Sequence, residues 1–217
     1  MSLPTAIKQN EQLKCSASGC NEKRNGMSRW CNHHKRRNEK YGSPKGTSLR
    51  TVGGGKRYDR ELEYCHQLII KNSDSKPVQA AVKLIGQWLK AAKGGLEVPG
   101  SRLLCLIDEE NVELRILEEL SAVWIHALEV KRQGDRELTF SLANALYSFV
   151  PKSHQWITSK NGKTYAKAMV KIGSRDRETM GEYIKTELGV FLENIRQHFT
   201  ASEQQQTSLK RQMAGPL

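Results

Sequence analysis

No stretch of the sequence reaches the about 18 consecutive apolar residues of a membrane-spanning helix, so an integral membrane protein is not indicated. Cysteine is sparse and odd in number, and five thiols do not make a disulfide framework. The start, MSLPTAIK, has no apolar core behind a charged end, so secretion is not expected and a reducing cytoplasm is the expected setting. No self-similarity recurs at a period of about 20 to 50 residues, which excludes solenoids and propellers.

Catalytic constellations are missing as well. Beyond the first 57 residues His66, His126, His154 and His198 stand singly, whereas an HNH nuclease needs a general-base His with further His or Asn ligands. Gly162-Lys163-Thr164 ends like a phosphate loop, but the first glycine of that motif would fall where Ile157 stands. The acidic run Asp108, Glu109 and Glu110, with Glu113, suits the positive end of a helix dipole better than a metal. Cys65 and Cys105 lie in apolar stretches and read as core fillers. A non-enzymatic protein is expected.

What is present is a lopsided charge. Residues 1–57 carry 13 Lys and Arg against 3 Glu, a net +10, while residues 58–217 carry 22 basic against 20 acidic side chains, a net +2. The arm seeks a polyanion and the remainder is close to neutral. The arm has no amphipathic apolar face for a membrane, so nucleic acid is the expected partner, DNA ahead of RNA.

Four segments follow from composition: a basic arm over 1–44, a linker over 45–57 around Gly53-Gly54-Gly55, a helical domain over 58–199, and a Gln-rich tail over 200–217 expected to be disordered. Residues 1–14 are polar and expected to be loose. In the helical domain Leu62, Cys65 and Ile69 share a face, as do Val78, Ala81, Val82, Ile85, Leu89 and Ala92. Longer stripes run from Val112 through Leu128 and from Met180 through Phe199. Asn161-Gly162 suits a type I′ turn between short stretches containing Trp156, Ile157, Thr164 and Tyr165, so a small β-hairpin is expected near 156–169. The fold class is mainly α.

The arm holds the clearest motif. Cys15-x4-Cys20 is followed after ten residues by Cys31-x2-His34, two short loops that each offer a pair of ligands to one tetrahedral zinc. Gly19 suits the tight turn of the first loop, Asn25-Gly26 a turn between the two, and a helix from Cys31 to Lys40 would present Cys31 and His34 on one face. His33 competes with His34, and the two-residue gap favours His34. This order of knuckle, hairpin and helix is treble-clef-like.

The stretch CSASGCNEKRNGMSRWCNHHKRRNEKYGSP resembles the Cys3His finger of bacteriophage and prophage proteins, some of them linked to HNH endonucleases. Trp30, Cys31, His34, Lys35, Arg36, Arg37 and Tyr41-Gly42-Ser43-Pro44 carry the resemblance. Lys35 stands where the family commonly has an aromatic, and Ser43 where it has Asp. The resemblance covers about residues 15–44 and implies a zinc module from a mobile element.

Arg24, Arg29, Lys35, Arg36, Arg37 and Lys40 are the arm's candidate phosphate contacts. A second basic stretch has no acidic residue between Leu138 and Arg175, and there Lys160, Lys163, Lys167 and Lys171 would join them. On a strand, Lys163, Tyr165, Lys167 and Lys171 share one face as a basic ribbon; on a helix that face dissolves. A solubilising edge is the alternative there. The expected function is a phage-type or prophage-type zinc-finger protein that binds nucleic acid. The alternatives are a phage-encoded adaptor that binds a host protein through the finger or body, and a divergent HNH-type nuclease.

Overall fold

The computed structural model describes residues 2–49, 55–151, 154–158, 164–168 and 172–213. Along the chain run α1 (Leu3–Gln12), α2 (Asn32–Tyr41), α3 (Asp59–Lys71), α4 (Lys76–Lys93), α5 (Ser101–Leu104), α6 (Val112–Ile125) and α7 (Asp135–Leu146), then β1 (His154–Thr158), β2 (Thr164–Ala168) and α8 (Ser174–Met213). The fold is mainly helical, as its periodicities predict.

The body is built around α6. Its buried residues go round the whole helix, from Val112, Ile116 and Leu117 to Glu118, Glu119, Leu120 and Val123, because α3, α4, α7 and α8 all pack on it. Its neighbours α3, α4 and α8 are amphipathic instead. In α4, Pro77 opens the helix and Val78, Ala81, Ile85, Trp88, Leu89 and Ala92 are its buried residues, before Gly94 and Gly95 end it. A π-helical turn, His126–Val130, carries α6 towards α7.

Helices α7 and α8 meet where Gly181 lies under Thr139. A Cβ at Gly181 would stand 2.0 Å from the Thr139 carbonyl oxygen, so only glycine allows this approach. Beside it the Thr139 hydroxyl donates to Glu182 at 2.7 Å. The expected hairpin is present, with β1 antiparallel to β2 and Trp156 opposite Ala166. Its Asn161-Gly162 turn lies outside the described residues.

Two expectations about loose segments are corrected. Residues 3–12 form α1, whose Asn10 amide donates to the carbonyls of Gly26 and Ser28 at 2.7 and 2.8 Å. The tail is helical to Met213: Gln, Glu, Lys and Arg are good helix formers and simply prolong α8, with Glu203 paired to Arg60 of α3.

The linker is held at both ends. Leu49 packs on the body core, Leu49 accepts from the Arg57 amide at 2.9 Å, and the Tyr58 hydroxyl bonds to buried Glu119. Lys56 reaches the other oxygen of Glu119 at 2.5 Å. Among the described residues no helix is long and apolar enough to cross a membrane.

Candidate metal centre

Cys15, Cys20, Cys31 and His34 converge, and their ligand atoms all lie within 4.8 Å of one another. Nδ1 of His34 lies 3.5 Å from the Cys15 sulfur and 3.2 Å from that of Cys31, and the sulfurs of Cys20 and Cys31 are 3.9 Å apart. Three thiols and an imidazole gathered this closely could hold one metal ion.

Local sequence explains the convergence. In the first loop the Cys20 amide bonds back to the Ala17 carbonyl at 3.0 Å, and Gly19 takes φ 79°, as such a turn requires. The Cys15 amide donates to Glu22 at 2.8 Å and Asn25 to Trp30 at 3.0 Å, folding residues 22–30 back across the loop. A lone bridge between Lys14 and Lys23 stands where a hairpin ladder was expected. Cys31 caps α2, so Cys31 and His34 share its first turn.

His33 points away from the thiols. Its ring stands edge-on to His34 at 5.4 Å, and its Nε2 is 3.5 Å from Arg37.

The thiols are unequal. Burial raises the Cys15 thiol, but the amides of Cys31 and Ala17 and the neighbouring thiols outweigh it and hold Cys15 below its ordinary value. The Glu22 amide lowers Cys20, yet burial and the thiols of Cys15 and Cys31 leave it raised. A thiolate is thus favoured at Cys15 before Cys20.

The candidate phosphate contacts separate into two sets. Arg24 is engaged within the module: it donates to the Lys14 carbonyl, Asn10 and Ser16 at 3.0, 3.1 and 3.0 Å. Arg37 holds the loop after α2 through the carbonyls of Gly46 and Lys45, both at 2.9 Å. Arg29 lies over the Trp30 ring at 4.5 Å and Lys40 near Tyr41 at 5.2 Å. The side chains of Lys35 and Arg36 make no hydrogen bond or ion pair among the described residues. Of the second basic stretch, Lys160, Lys163 and Lys171 lie outside the described residues, and Lys167 stands opposite Gln155 in the hairpin register.

The module docks on the body. Arg136 of α7 donates to Gly42 O at 3.0 Å and to Asn38 at 3.1 Å, and Asn144 donates to Lys40 O at 3.0 Å. Gly42 ends α2 at φ 77°, and a Cβ there would lie 2.7 Å from the Arg136 carbonyl.

Residues that sequence spacing left unconnected meet in the body. His126 of the π-helical turn approaches Glu61 of α3 at 3.3 Å, and His66 of α3 approaches Glu118 of α6 at 2.9 Å. Burial raises the Glu61 carboxyl, but the hydrogen bond and charge of His126 outweigh it and bring it below the usual range. No signal within either helix marks these pairs, because their partners are far apart in sequence.

No family model matches the chain, and neither does any curated protein or solved structure.

Proposed function

We propose that this chain is a zinc-bearing nucleic-acid-binding protein of phage or prophage type, with DNA as its target and no catalytic role. Zinc suits the donor set: bonds of about 2.3 Å to sulfur and 2.0–2.1 Å to nitrogen put tetrahedral ligands about 3.8 Å apart between sulfurs and about 3.5 Å from sulfur to nitrogen. The distances of 3.9 Å between Cys20 and Cys31 and 3.5 Å between Cys15 and His34 lie close to those figures, and the 3.2 Å between Cys31 and His34 is shorter. Four protein ligands close the coordination sphere, which makes the ion structural.

The observation that carries the functional reading is the placement of charge. A net +10 lies on residues 1–57, on a module stapled by its ligands and docked on a nearly neutral body. Cations fixed on a rigid scaffold neutralise phosphates and release counterions, which gives affinity that falls steeply with salt.

The test is fluorescence anisotropy of a labelled DNA duplex with the zinc-loaded full chain over a salt series. Binding that weakens linearly in log salt supports the reading; no binding at moderate salt removes it. The second reading, an adaptor that binds a protein partner, is favoured by an apolar groove between α3, α4 and α8 lined by Leu68, Ile69, Val78, Phe191 and Ile195.

A further inference from the structure

Opposite the metal ligand His34 on α2, the side chains of Asn32, His33 and Arg36 face outward. Across from them lies the segment Glu22 to Asn25, which the Cys15 and Arg24 amides tie to the Glu22 and Leu13 carbonyls at 2.8 and 3.0 Å. Between the two is an open cleft of about 520 Å³, lined by Glu22, Lys23, Asn25, Asn32, His33 and Arg36. Its size falls in the range of about 300–1,000 Å³ usual for ligand clefts.

Lys23 and Arg36 bring two positive charges to this concavity, and their side chains make no hydrogen bond or ion pair among the described residues. One carboxylate, that of exposed Glu22, also lines the cleft. Arg24 also borders the cleft, but its guanidinium is directed to Lys14, Asn10 and Ser16 and braces the wall. Cys31 fixes the opposite wall where α2 begins. Two cations and the amides of Asn25 and Asn32, held on walls that need no reordering, suit a tetrahedral anion with several acceptor oxygens.

Resting on the nucleic-acid reading, we infer that this cleft is the phosphodiester-binding groove of the module, with Lys23 and Arg36 as its phosphate cations and Arg24 as the brace of its wall. This narrows the interface. Of the arginines that charge alone puts on DNA, Arg24 braces the site and Arg37 holds the loop after α2, while Lys23, which charge alone does not distinguish, enters it. The cleft takes the backbone of a strand rather than base edges, so the affinity it supplies does not depend on sequence.

The experiment uses the zinc-loaded full chain and a fluorescein-labelled DNA duplex, with the slope of log affinity against log salt as the readout. Each phosphate contact contributes about 0.9 to that slope, so Lys23→Ala with Arg36→Ala should flatten it by about 2. Lys71→Ala with Lys90→Ala removes the same charge from exposed positions of α3 and α4 and should leave the slope unchanged. Arg36→Lys should keep the slope and lose the fork geometry, weakening binding several-fold. Unchanged zinc content in every variant shows that the module is intact. A cleft double variant that keeps the wild-type slope overturns the inference and leaves the nucleic-acid reading standing. Failure of the wild-type chain itself to bind duplex overturns both, and points to an acidic protein as the module's partner.

Discussion

In the body, Ile116, Leu120 and Leu142 are wholly buried among other apolar side chains, whereas the buried apolar residues of the N-terminal module are Cys15, Ala17 and Cys31. Two of those three are metal ligands in the proposed site. The body is therefore ordered by burial of hydrocarbon, and the module, on the proposed function, by a bound metal and by hydrogen bonds such as those of Arg24 and Asn10. A segment this short buries too little apolar surface to hold itself together. The two regions should accordingly fail under different insults, and the place where they touch, Gly42 against Arg136, should transmit a part of each failure to the other.

The largest effect is expected at the ligands. Structural zinc supplies about 10–16 kcal/mol in small zinc modules, so Cys31→Ala should abolish zinc binding and unfold the module. Elemental analysis would show zinc lost from the variant, while the thermal transition of the body persists. Retention of a full complement of zinc would break the comparison at its base.

Leu120→Ala tests the other side. It empties a site at the centre of α6, and such truncations cost about 2–5 kcal/mol. A chemical denaturation curve should register that loss in the body while zinc content stays unchanged.

Gly42→Ala addresses the junction. It combines a strained φ of 77° with a Cβ 2.7 Å from the Arg136 carbonyl, and should cost about 1–3 kcal/mol in docking. The expected sign is a body whose melting temperature no longer responds to a chelator, whereas the wild-type body loses stability when its zinc is removed.

The smallest effect concerns acid. Glu61 has a carboxyl lowered in the folded state, where burial is outweighed by His126. Its contribution is complete above the unfolded value of about 4.3 and is lost as pH falls through the lower folded value. Glu61→Gln keeps a hydrogen-bonding group beside His126, so it should cost about 1 kcal/mol at neutral pH and flatten the stability curve below about pH 4.3. An unaltered acid limb would remove Glu61 from the account.

What could be read from sequence divides by distance along the chain. The ligand set is local: Cys15 to Cys20 and Cys31 to His34 each lie within one turn, so spacing alone identified the residues that the structure brings together. The helices show through their 3.6-residue period, and Val112 to Val123 is legible for that reason. The docking of Gly42 on Arg136 and the meetings of Glu61 with His126 and of His66 with Glu118 are long-range and leave no periodic trace. α1 and the end of α8 were misjudged from composition. Polar residues read as loose, yet Asn10 and Glu11 bond to the module's own turn, and the Gln-rich stretch prolongs an established helix.

The central claim is that the module owes its order to the metal and the body does not. Hydrogen exchange on the full chain, measured with zinc bound and after removal by a chelator, tests it directly. The predicted result is loss of amide protection across residues 13–42 with α6, Val112–Ile125, still protected. Protection across residues 13–42 that survives complete removal of zinc would contradict the claim.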